Sequence, residues 1–242
     1  MREGWVVNVG LMGYAEAARL QQRIVAARKA EAVPDVLVIC EHPHVITLGR
    51  NGRREHLLAS EHLLGQMGVE FHETNRGGDI TYHGPGQLVA YPILNLAEMR
   101  RDLVWYVRQL EEAMILTSAE YDLKAERRAG RTGVWVETAE AAEEKLGAIG
   151  VHVSRWVTSH GLAYNVTTDL RYFDLIVPCG IQDKRATSLE RLRGQRMSLE
   201  NVTPRIVKRL GDCFDRDFQA QTLESLCRRI GAAEAPELTA SL

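Results

Sequence analysis

A mixed-sheet α/β (α+β) fold is expected for this chain, because strand-like runs outnumber helical patterns and the helices fall among them at irregular intervals. No regular βαβ rhythm is present, which argues against a doubly wound nucleotide fold. Neither an internal repeat nor a low-complexity linker interrupts the 242 residues. One domain over residues 1–230 is therefore expected, followed by an alanine- and glutamate-rich tail at 231–242 that frays.

Taken in order, residues 5–9 form a short β-like run. Residues 14–30 follow as a helix, with Ala17, Leu20, Ile24 and Ala27 at helical spacing and Arg and Gln opposite. Pro34-Asp35 breaks it, and 36–40 is a continuous apolar strand of the buried kind. Glu41-His42-Pro43-His44 turns the chain into a strand at 45–48. The two histidines resemble half a metal site, but Pro43 separates them and no third ligand is nearby, so no metal is expected. A basic loop at 50–56, a short helix at 57–67 and an alternating strand at 69–73 lead to a glycine-rich stretch. Strand 88–96 comes next, then helix 102–121 with an apolar stripe of Leu103, Val107, Leu110, Met114 and Leu116 or Thr117. Strands follow at 132–136, 146–153 and 159–166, the first two separated by an acidic insert at 137–144. After a charged segment at 182–196, Thr203 caps a helix with Pro204 at its first position, running to about residue 218. A last amphipathic helix spans 223–230.

Composition narrows the function. Hydrophobic residues make up 45% and charged residues 26%, ordinary values for a globular protein with a sizeable core. The formal charge of −2 offers no global attraction for nucleic acid. No apolar run approaches the roughly 18 to 20 residues that span a bilayer, and residues 1–10 carry no signal-peptide core. Cys40, Cys179, Cys213 and Cys227 form no C-x-x-C pair, so neither zinc nor a disulfide framework is indicated. The expected setting is the reducing cytoplasm, where a cysteine function means thiol chemistry.

Two regions carry the chemistry. The stretch RGGDITYHGPGQLVAYP (76–92) holds Gly77, Gly78, Gly84 and Gly86 around Asp79, Thr81, Tyr82 and His83. Adjacent glycines let backbone approach a ligand closely, and Gly-Pro-Gly fixes where the Tyr-His pair points. A plain hairpin connection has the same glycines, but the density of polar groups between them favours a substrate wall. P-loop, G-x-G-x-x-G, G-x-S-x-G and H-E-x-x-H patterns are absent. Cys179 stands between Pro178 and Gly180 after an apolar strand, with a glycine N–H beside it to hold an oxyanion. Cys40 lies within an apolar strand, and Cys213 and Cys227 fall on terminal helices, as small packing residues do. Lys145 precedes the apolar segment Leu-Gly-Ala-Ile-Gly-Val. It is either a solvated strand start or a base that favours a neighbouring thiolate, since a free thiol with a pKa of about 8.5 is mostly protonated at neutral pH.

The motifs RGGDITYHGPGQLVAYPI (76–93), KLGAIGVHVSRWVTSHGLAYNV (145–166) and PCGIQDKRATSL (178–189) together resemble the lipoyl(octanoyl) transferases, in matching order and spacing from about residue 36 to 189. The resemblance implies a biotin/lipoate protein ligase-like fold, with a mixed β-sheet, a smaller sheet and flanking helices. It implies that Cys179 is the acyl-thioester nucleophile and that Lys145 lowers its pKa and serves as general acid and base. Arg76, Gly77, Gly78, Asp79, Ile80, Thr81, Tyr82 and His83, with Ala148, Ile149, Gly150, Gly161, Leu162 and Ala163, correspond to the acyl-binding wall. His160 is a further candidate for positioning groups in the pocket. Octanoyl-acyl carrier protein is the implied donor. Apo lipoyl domains of 2-oxoacid dehydrogenase complexes and the glycine cleavage H protein are the implied acceptors, and no cofactor is implied. Arg50, Arg53, Arg54, Arg127, Arg128, Arg131, Lys184 and Arg185 would offer docking charge to acidic carriers. The insert at 137–144 is longer and more acidic than the family pattern. An ATP-dependent lipoate or biotin ligase on the same fold is the nearest alternative. Its nucleotide-binding loop is not matched by Asn75-Arg76-Gly77-Gly78-Asp79. A non-catalytic carrier-binding module is the alternative from another class, and it would need neither the lysine nor the cysteine.

Overall fold

The strand-forming runs assemble into two sheets in a computed structural model, which describes residues 1–138, 143–177 and 185–231. In chain order the elements are β1 (Arg2–Leu11), α1 (Tyr14–Lys29), β2 (Asp35–Glu41), β3 (Val45–Leu48), α2 (Glu61–Gln66), β4 (Glu70–Glu73), β5 (Ile80–His83), β6 (Gln87–Ile93) and α3 (Leu103–Ala119). The second half adds β7 (Ala125–Arg128), β8 (Arg131–Glu137), β9 (Glu143–Ser154), β10 (Val157–Asn165), β11 (Arg185–Ala186), α4 (Leu189–Arg193), α5 (Leu199–Phe214), β12 (Arg216–Ala220) and α6 (Leu223–Arg229).

The larger sheet has the order β12-β1-β2-β6-β10-β9-β8-β7, with β11 attached to β9; the smaller has the order β4-β3-β5. Within the larger sheet β1 runs parallel to both β2 and β12, and β11 parallel to β9, while the remaining pairs are antiparallel. The sheet is therefore mixed, as the irregular spacing of helices requires. Its middle strands are apolar almost throughout because both faces are covered. Leu37, Leu88, Ala90, Leu162 and Tyr164 meet Tyr106 and Leu110 of α3 and Ile206 and Leu210 of α5 on one face. Val36, Val38, Val89 and Tyr91 meet Ala17, Leu20 and Ile24 of α1 on the other. Ile46, Leu48, Ile80 and Tyr82 close a third core under the smaller sheet. No helix among the described residues is long and apolar enough to cross a membrane.

Several elements differ from expectation, each for a packing reason. The helix expected to begin at Thr203 begins instead at Leu199. Ser198 caps it, accepting the Asn201 N–H at 3.3 Å, and Pro204 lies inside. Val202, Ile206, Leu210 and Phe214 are buried at four-residue spacing. Each contributes about 1.5–3 kcal/mol of burial, more in sum than the ~3 kcal/mol an internal proline costs. That helix stops at Phe214 rather than 218. Asp215 turns left-handed (φ 53°), and the next five residues form β12 because β1 has an open parallel edge. The buried stripe of α3 is Tyr106, Leu110, Ala113, Met114 and Thr117, so Leu103 is left 45% exposed. The helix expected at 57–67 is confined to Glu61–Gln66, where Ser60 caps it. The strand expected at 88–96 ends at Ile93. Strands β5, β7 and β11 and helix α4 were not foreseen. Of the acidic insert, 139–142 lie outside the described residues, and Glu143 and Glu144 open β9. Residues 232–242 also lie outside them.

Candidate active site

A cavity of about 390 Å³ lies between the two sheets, within the size range of small-ligand sites. Alternation along each strand decides what reaches it. On β6, Val89 and Tyr91 face the cavity while Leu88 and Ala90 enter the opposite core. On β5, Thr81 and His83 face it, while Tyr82 between them turns away. Tyr82 lies 5.0 Å from the Tyr172 ring in near-parallel stacking, its hydroxyl 2.8 Å from His44 Nδ1. The space exists because β9 and β10 contribute Gly147, Ala148, Gly150, Gly161 and Ala163 where larger side chains would fill it. Gly161 has no alternative residue in this sheet, since a Cβ there would overlap the Ala90 carbonyl of β6.

Of the acyl-wall residues expected from the sequence, Arg76, Gly78, Asp79, Ile80, Thr81, His83, Ala148, Ile149, Gly150, Gly161, Leu162 and Ala163 line this cavity, as does His160. Gly77 and Tyr82 do not line it. The Gly77 N–H instead donates to the Val151 carbonyl at 2.8 Å and ties the glycine-rich turn to β9. Tyr14, Gln87, Trp135, Asn165 and Phe173 also line the cavity, and sequence reasoning missed them as site residues. Each is an ordinary core or strand residue in one dimension. Only the meeting of the two sheets gives them a common space.

One end of the cavity is polar and buried. Arg76 donates from Nη2 to the Thr47 carbonyl at 2.7 Å and to Thr47 Oγ1 at 2.9 Å. Burial first, then His42 and Arg76, pushes the His83 imidazole down to about 3. Burial and Arg76 push His160 down to about 4. Both rings are thus neutral at physiological pH. His160 has a left-handed backbone (φ 55°) in mid-strand, its N–H held by Gln21 Oε1 at 2.7 Å and its Nε2 2.7 Å from Asn75 Oδ1. His42, by contrast, sits between the Met12 carbonyl and the Tyr91 hydroxyl, and His44 stacks on Tyr172.

Lys145 lies at the other end, within β9, opposite Trp135 of β8 and Ala186 of β11. Its Nζ sits 5.1 Å from the centre of the Trp135 ring and its side chain lines the cavity. Gly133 makes this possible. Its φ is +111°, and a Cβ there would come within 2.8 Å of Lys145 Cε. The Gly133 N–H donates to Glu111 Oε1 at 3.0 Å, and the buried Glu111 carboxylate is held by Arg108 at 2.6 Å and Arg127 at 3.1 Å. Cys179 falls outside the described residues, as does Lys184. None of the three described cysteines lines the cavity. Burial raises the Cys40 thiol and pushes Cys213 up to about 11, so neither is a ready nucleophile. Of the arginines expected to dock carriers, Arg127, Arg128 and Arg131 are engaged with Glu111, Glu112, Glu126 and Glu143, and Arg54 with Glu61.

Residues 13–211 match the family model for the lipoyl protein ligase A/B catalytic domain. An octanoyltransferase of Solibacter usitatus is 51% identical over 215 residues, covering 89% of this chain and 94% of that protein. An octanoyltransferase of Acidobacterium capsulatum is 53% identical over 193 residues, covering 76% and 78% respectively. Among solved structures, the bi-partite lipoate protein ligase from Thermoplasma acidophilum superposes with a TM-score of 0.73 at 16% identity, over 95% of this chain and 92% of that one. That likeness speaks for the fold, while the sequence matches speak for the family. With sequence identity near one half and the same catalytic-domain model over most of its length, the chain belongs to the lipoyl protein ligase A/B catalytic-domain family, among its octanoyltransferases.

Proposed function

We propose that residues 1–230 act as one catalytic domain that moves an octanoyl group from acyl carrier protein to a lysine of an apo lipoyl domain, through a thioester on Cys179. The observation that carries this is the placement of Lys145. It reaches into a cavity walled largely by small and apolar residues, and β11, the first described element after the Cys179 segment, pairs directly with Glu144 and Lys145. In the first step the Cys179 thiolate attacks the thioester carbonyl of the donor. The phosphopantetheine sulfur leaves and takes a proton from the Lys145 ammonium. In the second step the amine of the acceptor lysine attacks the Cys179 thioester. Lys145, now neutral, takes the amine proton, and the Cys179 thiolate is regenerated. The acyl chain lies along Val89, Ala148 and Ala163, and Arg76, Gly78, Thr81 and His83 form the opposing wall. Lipoyl domains of 2-oxoacid dehydrogenase complexes and the glycine cleavage H protein are the acceptors, in the cytoplasm, where carrier and acceptor meet.

The test is an intact-mass spectrum after mixing with octanoyl-acyl carrier protein, beside a Cys179→Ser variant. A hydroxylamine-labile octanoyl adduct on the wild type alone, discharged by an apo lipoyl domain, is expected. Lys145→Met is expected to slow loading by about 10²–10⁴-fold, the usual contribution of a positioned proton-transfer group. Transfer that appears only with ATP and free octanoate, or an undiminished Cys179→Ser variant, would overturn the reading in favour of a ligase.

A further inference from the structure

A continuous series of buried hydrogen bonds runs between the two walls of the cavity, and its direction is fixed by its ends. The Asn165 side chain meets the Thr187 carbonyl at 2.9 Å. A carbonyl only accepts, so the atom facing it is the Asn165 amide nitrogen, which turns Asn165 Oδ1 towards Gln87. Gln87 must then present its own amide nitrogen, which lies 2.9 Å from Asn165 Oδ1 and 3.2 Å from the Tyr82 carbonyl, a second acceptor. This leaves Gln87 Oε1 to face His83 Nδ1 at 2.7 Å. Since that oxygen only accepts, the His83 proton is on Nδ1. The His83 Nε2 is left bare, facing Thr47 Oγ1 at the longer distance of 3.5 Å. Thr47 Oγ1 accepts from Arg76 Nε at 3.3 Å and Nη2 at 2.9 Å, so its own hydrogen is the one left to point at Nε2. At the other end the Thr187 N–H donates to the Lys145 carbonyl at 2.9 Å. Every donor points the same way, from the Arg76 guanidinium to the backbone of Lys145.

We propose that this one-directional chain fixes His83 in its Nδ1–H tautomer and holds the glycine-rich wall in register with the lysine strand, with Gln87 and Asn165 as its positioning residues. Arg76 and His83 belong to the wall that opposes the acyl group, and Thr187 belongs to the segment that returns beside Lys145. His83, Gln87, Asn165 and Thr187 are all buried, so a broken bond has no water to replace it. The groups that face His83 leave its charge state undisturbed near neutrality. They are His42 (rings 5.8 Å apart), Arg76 and His160, which with burial hold the ring neutral, and Tyr14, whose ring stacks at 6.4 Å. A shift of one wall against the other would misplace the thioester carbonyl without emptying the pocket, which lowers kcat while leaving KM nearly unchanged.

The tautomer is read from long-range proton–nitrogen spectra of the full chain labelled with ¹⁵N-histidine, with His83 assigned by its loss in His83→Gln. A protonated Nδ1 and a bare Nε2, unchanged from pH 8 to pH 5, are expected. An Nε2–H ring, a mixture, or a titration near the ordinary histidine value would overturn the proposal. Asn165→Asp sets a carboxylate oxygen against the Thr187 carbonyl yet still accepts from Gln87. It should therefore keep the His83 tautomer but slow octanoyl loading of Cys179 about tenfold, the scale of one lost buried hydrogen bond, with KM for octanoyl-acyl carrier protein within about twofold. Loading at the wild-type rate would remove the positioning role. Should that variant not fold, Gln87→Met carries the same kinetic expectation and must also release the tautomer. The kinetic arm rests on the acyl-transfer reading and the spectroscopic arm does not. A wild type that never loads octanoate therefore fails that reading alone.

Discussion

At the scale of single residues, the two cavity histidines are polar groups held uncharged by burial and by Arg76. His160 has a folded-state pKa of about 4, set first by burial and then by Arg76, against about 6.5 when unfolded. The folded value is the lower one, so the unfolded chain binds the proton first. Stability is then complete above about pH 6.5 and is lost as pH falls towards 4. Each such ring contributes a slope of about 1.4 kcal/mol per pH unit in that window. His160→Gln should remove that much of the slope of unfolding free energy between pH 6 and pH 4, and change nothing in the slope above pH 7. Denaturant titrations across pH measure it, and parallel wild-type and variant curves would refute it. The candidate residues themselves were legible in the sequence. Of the described ones named from it, all but Gly77 and Tyr82 line the cavity, Lys145 included. Their orientation was not legible. Tyr82 and His83 are adjacent and equally polar, and only the pleat of β5 sends one to the stacked rings and the other to the pocket.

At the scale of elements, the instructive case is α5. Ser198 caps this helix in the structure, whereas Thr203-Pro204 is the start that local propensity favours. Burial of Val202 within the core decides for the first, because a helix that began after Thr203 would leave that side chain outside the stripe. Ser198→Ala should therefore destabilise the protein by about 1 kcal/mol, whereas Thr203→Ala should stay within about 0.5 kcal/mol of wild type. Thermal unfolding of the two variants ranks them, and the reverse order would contradict the assigned start. The β9–β10 hairpin makes a similar point. Arg155 and Trp156 both adopt positive φ, at 50° and 65°, as a two-residue turn of this kind demands. Nothing in Arg-Trp announces such a turn. Pairing of the long flanking strands imposes it.

At the scale of the whole molecule, one buried carboxylate ties together pieces that are far apart in the chain. Asp35 on β2 receives Arg28 Nε from α1 at 2.8 Å, Arg216 Nε from β12 at 2.7 Å and the Asn95 N–H at 2.9 Å. Arg28 also reaches Glu98 at 2.6 Å. The sheet edge formed by β12, β1 and β2 is thereby fixed to α1 on one face. Asp35→Asn would leave two buried guanidinium groups facing a neutral amide, so a loss of about 3–5 kcal/mol is expected in equilibrium denaturation. A loss below about 1 kcal/mol would mean that the network is solvated and does not hold the edge.

The sequence by itself determined the mixed α/β class, most strands and long helices, and the motifs whose described residues gather at one cavity. Those features depend on local patterning, glycine placement and burial periodicity, all of which are written in one dimension. Only the tertiary structure decided which start α5 uses, that residues after Phe214 leave the helix to pair with β1, and that Gln87 and Asn165 bridge the two walls of the site. In each case the deciding energy is a contact between segments distant in the chain: an open strand edge, a shared core, or a buried donor with one acceptor in reach. Such contacts leave no periodicity for sequence reading to find.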